Sequence, residues 1–298
     1  MFIINHRGFF FWLTGIILAA AIGAIVVWGL PLGIDFTGGS SMHVEYPDGR
    51  PALSVVQEQV TSSGIEGASV RASGESAVSI RSRSLTPEEH EAVLAALSKD
   101  AQVTELAFSS VGPTLGSQFA SKALWAIAAV VLVIVLYIAF AFRKVSRPVP
   151  GWGYGLIVVA MLAIDIIVPM GFFAALAHFT GAEVDSLFVV ALLALLGYVV
   201  NDVIVVFDRV RERLSLNEKT GAHEDFETTV GISIDQTIVR SINTSLTVVL
   251  ALLALIFLGA EATRNFSLVM LVGVLAGTFS SICRSAPLLI PIAKWFSK

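Results

Sequence analysis

Apolar residues gather along this chain into six long runs, at roughly residues 9–30, 122–142, 152–179, 186–207, 239–259 and 266–292. At ~1.5 Å of rise per residue, each run is long enough as a helix to cross a ~30 Å hydrocarbon layer. Arg7 precedes the first run, as it would in a secretory leader. The run is too long for a leader's apolar core, however, and five more follow, so it reads as a retained anchor. The pattern predicts a polytopic α-helical membrane protein with six transmembrane helices.

Between the first and second runs the periodicity changes. SMHVEY (41–46) alternates as a strand does, and residues 51–63 read as a helix with Val55, Val56 and Val60 on one stripe. ASVRA and AVSIRSR read as two strands separated by the turn Ser73-Gly74-Glu75. Thr86-Pro87-Glu88-Glu89 has the form of a capping box with proline at the first helical position, and predicts a helix to about Ser98. VTELAFSS (103–110) supplies a last strand. The order β-α-β-β-α-β predicts a small α+β ferredoxin-like domain. Its carboxylates Glu88, Glu89 and Glu91 read as a solvated helix face. The expected organisation is thus 1–30 for the N-terminus and first transmembrane helix and 31–121 for an extracytoplasmic (periplasmic) domain. Residues 122–298 hold the other five helices, with a cytoplasmic loop at 208–238.

Basic residues set the expected direction. Arg7, the group Arg143, Lys144 and Arg147, the group Arg209, Arg211, Arg213 and Lys219, and finally Lys294 and Lys298 all fall on one side of a six-helix chain. The opposite short loops, 181–186 and 259–265, are acidic or nearly neutral. The positive-inside rule then places both termini in the cytoplasm and residues 31–121 outside.

Composition narrows the function classes. Hydrophobic residues make up 55% of the chain and charged residues 14%, against ~25% charged in soluble domains. A net charge of −4 argues against nucleic acid as a partner. Cys283 stands alone, which excludes an intrachain disulfide, and reads as a buried packing residue. His6, His43, His90, His178 and His223 are scattered, with no HExxH or CxxC, so neither a metal nor another cofactor is indicated.

Polar residues inside the apolar runs carry the candidate chemistry. Asp202 lies within LFVVALLALLGYVVNDVIVVF, where an ionised carboxylate costs at least ~2.5–3.5 kcal/mol. It is the first candidate for a proton or ion site. Gln236, Arg240, Asn243 or Thr244, and Thr247 recur at helical spacing in the fifth run. Arg240 either meets Asp202 or snorkels to headgroups; the amide and hydroxyl residues beyond it favour an inward face. Asp165 is a second acid, with Pro169 one turn later. Gly273, Gly277 and Ser281 repeat every four residues as a small-residue packing face, which is also a candidate contact for a partner. Arg284 reads as a snorkelling residue near the cytoplasmic end.

Four ordered motifs carry a resemblance. GIDFTGGS (33–40), VGPTLG (111–116), GYVVNDVIVVFDRVRER (197–213) and DQTIVRSINTSLT (235–247) are similar to motifs of the SecF family, the smaller partners of SecD in bacterial protein export. The resemblance spans essentially the whole chain. It implies one half of a resistance–nodulation–division (RND) type bundle in the cytoplasmic (inner) membrane, in contact with membrane lipids. The implied partners are a SecD-like protein, the SecYEG channel, SecA and the exported unfolded polypeptide, and the implied drive is the proton motive force. Asp202 and Arg240 match positions implicated in proton conduction, and Asn201, Asn243 and Thr244 lie in the same motifs. Asp165 matches an acid usually preceded by His; here the preceding residue is Ile164. The chain therefore reads as a translocase subunit and not an enzyme. Two alternatives are a proton-coupled RND-type exporter of small molecules or lipids, and a passive scaffold whose polar groups only fix helix register. The topology predicts that a cysteine placed at Ser76 is labelled by an impermeant thiol reagent added outside, and one at Ser215 is not; the reverse result would overturn it.

Overall fold

The computed structural model describes residues 2–142, 148–221 and 224–296. Arg143, Lys144, Arg147, His223 and Lys298 lie outside the described residues. In chain order the elements begin with α1 (Phe2–Asn5), α2 (Arg7–Trp28), α3 (Ile34–Thr37), β1 (Gly39–Glu45) and α4 (Leu53–Ser62). Next come β2 (Ser69–Ser73), β3 (Ala77–Ser82), α5 (Pro87–Leu97) and β4 (Thr104–Val111). The long helices follow: α6 (Pro113–Ala141), α7 (Gly151–Thr180), α8 (Ser186–Thr220), α9 (Phe226–Leu258) and α10 (Glu261–Ser280). A π-helical turn, Ser281–Ser285, joins α10 to α11 (Ala286–Phe296). Six helical segments among the described residues are long and apolar enough to cross a membrane: α2, α6, α7, α8, α9 and the α10–α11 segment. The chain divides into two compact units. One comprises Met1–Gly29, Ala126–Ala175 and Leu187–Lys298; the other comprises Leu30–Trp125 and Leu176–Ser186.

The second unit is built on a four-stranded sheet of order β2-β3-β1-β4, each neighbour antiparallel. Alternation in β1 buries Met42 and Val44, which join Val78 and Ile80 of β3 in one core. Val56 and Val60 of α4 and Val93 and Leu97 of α5 close that core. Val55, expected on the same stripe, is 44% exposed, because α4 starts at Leu53 and its inward face runs through 56 and 60. The capping box forms: the Thr86 hydroxyl accepts from the Glu89 N–H at 3.3 Å, and the Glu89 carboxylate accepts from the Thr86 N–H at 2.9 Å. Arg83 donates to the same carboxylate, and these bonds hold Glu89 down at about 2.

Two glycine-rich motifs make the base of this unit. The Gly33 N–H donates to the Val184 carbonyl at 2.7 Å and the Val184 N–H to the Pro31 carbonyl at 2.8 Å. Asp35 accepts the Ser186 N–H at 2.8 Å. The connector between α7 and α8 is thereby tied to the segment that follows α2. Gly38 has φ +75°, and a Cβ there would stand 2.7 Å from the Pro113 Cα. A Cβ on Gly116 would stand 2.6 Å from the Gly38 nitrogen. GIDFTGG and VGPTLG are therefore two sides of one backbone contact that side chains would prevent.

In the first unit α8 presents a long buried face, which includes Phe188, Leu192, Leu195, Val199, Asp202, Val206 and Val210. Gly171, two residues after Pro169, lets α7 pack directly against the backbone of α2 at Ala21. Residues 208–238, expected as a loop, are helical on both sides of a short connection: α8 continues to Thr220 and α9 begins at Phe226. Charged pairs allow helix to continue past the apolar stretch. Asp208 pairs with Arg211 at 2.5 Å and Arg209 with Glu212 at 2.6 Å. Arg213 grips Glu224 through two bonds of 2.9 and 2.6 Å, and Asn217 adds a third at 3.0 Å. The Arg213 guanidinium first, and then Asn217, hold the Glu224 carboxyl down at about 2. The Asp225 carboxylate caps α9 by accepting from the Glu227 N–H at 3.2 Å.

Gly38→Ala is expected to destabilise the protein by about 1–3 kcal/mol from backbone strain alone, before the contact with Pro113 is counted. Thermal unfolding in detergent, compared with Gly49→Ala, where a Cβ meets nothing within 4 Å at φ +105°, separates the clash from the strain.

Candidate functional site

The polar groups of the membrane unit form two buried clusters, both reached from the C-terminal span. The first surrounds Asp202, which is 9% exposed. One carboxylate oxygen accepts from the Ser241 hydroxyl of α9 at 2.6 Å, and the other accepts from the Ser281 hydroxyl of the π turn. One turn up α8, the Tyr198 hydroxyl donates to Ser245 at 2.9 Å, and Thr278 of α10 donates to the same oxygen at 2.6 Å. The second cluster is an ion pair. Arg284, 3% exposed, donates to Asp165, 1% exposed, at 2.9 Å. The guanidinium also donates to the Ala276 carbonyl at 3.3 Å and lies over the Phe279 ring at 5.5 Å.

Helix packing explains why a side chain as short as serine reaches Asp202. A Cβ on Gly273 would run into the Leu195 side chain, and one on Gly277 into Val199. Gly273, Gly277 and Ser281 thus meet Leu195, Val199 and Asp202 in successive steps of two helices that run the same way. The glycines let the helices close, and the third step brings hydroxyl to carboxylate. This corrects the expectation that the small-residue face is left open for a partner: it is filled by α8 of the same chain.

The expected stripe on α9 also lies elsewhere. Gln236, Arg240, Asn243, Thr244 and Thr247 are all exposed, as is Asn201 on α8. Among the ion pairs of the described residues, none joins Arg240 to Asp202. The buried face of α9 is instead Ser233, Thr237, Ser241 and Ser245, one residue every four. The Ser233 and Thr237 hydroxyls donate to the carbonyls four residues back, at 2.7 and 2.9 Å. That four-residue spacing is visible in the sequence, but the stripe with the charged Arg240 has the same period. Arg284, expected to snorkel, is drawn inside because Asp165 supplies its counter-charge.

Fold and polar interior together define an α-helical membrane transport subunit, and the comparisons name its kind. A family model described as "Protein export membrane protein SecD/SecF, C-terminal" matches residues 90–295, and one described as "SecD/SecF GG Motif" matches residues 23–46. The chain belongs to this SecD/SecF family of protein-export membrane proteins, on its SecF side, and is an accessory subunit of the Sec translocase. It is 38% identical over 302 residues to protein translocase subunit SecF of Thermobaculum terrenum, covering 97% of this chain and 92% of that one. It is 33% identical over 280 residues to protein translocase subunit SecDF of Bacillus subtilis, covering 93% of this chain and 36% of that one. Among solved structures, the crystal structure of SecDF from Thermus thermophilus, a translocon-associated membrane protein, superposes with a TM-score of 0.83 at 28% identity. The match covers 99% of this chain and 38% of that chain.

Arg284→Met leaves Asp165 as a lone buried acid and is expected to destabilise the protein by about 3–5 kcal/mol. Asp165→Leu with Arg284→Met removes the pair together and recovers most of that loss. Melting of the single and double variants in detergent checks both outcomes.

Proposed function

We propose that this chain forms one half of a bundle completed by a SecD-like protein, and that proton flow through Asp202 assists the late stages of polypeptide export. The observation that carries this reading is the pairing of Asp202 with two serines. A serine hydroxyl donates to a carboxylate and, after rotation, accepts from a carboxylic acid, whereas a guanidinium only donates. Asp202 therefore keeps partners in either protonation state, as a site that takes up and releases a proton must. One charge crossing 100 mV yields ~2.3 kcal/mol, enough to bias two helix packings.

The exposed row Asn201, Arg240, Asn243, Thr244 and Thr247 supports the partner. Such groups are costly against lipid. A second half-bundle covering them would bring the Arg240 charge out of hydrocarbon and towards the coupling path. The SecDF relatives, in which a region like this chain is about a third of a longer polypeptide, support the same arrangement. Asp165, held by Arg284, belongs to the seam as its neutralised neighbour. The sheet order β2-β3-β1-β4 supports a ferredoxin-like domain for residues 31–121, and the lysine and arginine distribution supports its extracytoplasmic side with both termini in the cytoplasm. In this role SecYEG and SecA pass unfolded polypeptide to the outer domain, and the subunit does transport work rather than catalysis.

Asp202→Asn keeps the shape and removes the titration. In inverted membrane vesicles, wild type is expected to speed late translocation in response to a proton gradient, and Asp202→Asn is not. Full gradient dependence in Asp202→Asn would reduce Asp202 to a structural polar group.

A further inference from the structure

The C-terminal span is interrupted at the point where it touches both buried acids. Ser281–Ser285 is a π-helical turn, in which one extra residue is accommodated between α10 and α11. Its cause is local. Pro287 follows within two residues, lacks an N–H, and would press its ring on the Cys283 carbonyl of a regular helix. Within the turn the Ser285 hydroxyl donates to the Ser281 carbonyl, four residues back, at 2.5 Å.

The turn is held from outside by two side-chain bonds of different kinds. Arg284 binds Asp165 of α7 by an ion pair, and Ser281 binds Asp202 of α8 by a hydroxyl alone. Ser281, Arg284 and Ser285 are all buried. The charge of Asp165 is met within the pair, while Asp202 has no ion-pair partner among the described residues. A change of charge on Asp202 thus weakens one of the two ties and leaves the other in place. The bond from Ser281 is charge-assisted while Asp202 is ionised and loses that assistance when the acid is neutral.

We propose that the π-helical turn is the moving part through which the charge on Asp202 reaches the C-terminal span, with Arg284 as the positioning residue that pivots it on Asp165. This rests on the reading of Asp202 as the titrating acid. Neutral Asp202 keeps Ser281 only by an ordinary, weaker hydrogen bond, so the turn shifts about its Arg284 anchor and α11 moves relative to α10. Ionised Asp202 draws Ser281 back.

The chain carries its own reporter. Cys283 is its single cysteine, lies inside the turn, and is partly buried. Its alkylation by membrane-permeant N-ethylmaleimide is measured in native membranes on the full chain. Asp202→Asn and Ser281→Ala are each expected to raise the rate about tenfold, the equivalent of one charge-assisted hydrogen bond. The double variant is expected to react no faster than the faster single one, because both changes act on the same tie. Rates within about twofold of wild type in both single variants, or additive effects in the double, overturn the proposal. Elution of each variant as a monodisperse peak in detergent guards against misfolding. The labelling result is separate from the export assay: gradient-dependent export by Asp202→Asn sinks the coupling reading, whereas a static Cys283 sinks the moving turn while that reading stands.

Discussion

A carboxylate taken out of water is costly to keep unless donors or a counter-charge meet it, and the packing around α8 follows from supplying donors to both oxygens of Asp202. The two donors are serines, whose side chains have almost no reach. Helices on either side must therefore come close. On one side Gly273 and Gly277 remove the side chains that would hold α10 away from Leu195 and Val199. On the other, α9 turns a face of Ser and Thr inward, with Ser241 level with the acid and Ser245 level with Tyr198. Small residues and hydroxyls thus solve one problem together: close approach supplies dispersion contacts and makes short-range hydrogen bonds possible.

Asp165 is held by a different chemistry, with a guanidinium on Oδ1 while Oδ2 has no hydrogen-bond partner among the described residues. Arg284 is long enough to cross the gap from the C-terminal span, so no close approach is needed there. An ion pair of this kind is neutral as a whole, but losing either member exposes the other to the full cost of burial. The residue before this acid is Ile164, which supplies neither charge nor hydrogen bond. Its cation comes from a different helix. The two acids of the interior therefore differ in kind, one held by a charge and the other by dipoles.

Much of this was legible from residue patterns. The six apolar runs, the β-α-β-β-α-β order and the Thr86–Glu89 capping box depend on local rules of period and capping, and sequence displays these directly. Pairings across helices were less visible. Arg240 and Arg284 are both arginines in apolar surroundings at the same expected end of the membrane, and nothing local says which one turns inward. That choice is made by a tertiary fact, the position of Asp165 on α7. Likewise the Ser233–Ser245 row has the four-residue spacing of the Gln236–Thr247 row. Only packing against α8 shows which one is buried. The polarity of residues 208–238 reads as a loop, but i,i+3 ion pairs and an Arg213–Glu224 clasp accompany helix through most of it.

The connector between α7 and α8 belongs to the sheet-bearing unit, tied there by Pro31, Gly33 and Asp35. The two helices it joins are the ones that carry Asp165 and Asp202. One short connector, held by these three hydrogen bonds, is thus continuous in sequence with both acid-bearing helices. Whatever restrains that loop therefore restrains the adjoining ends of the two helices that carry the buried acids.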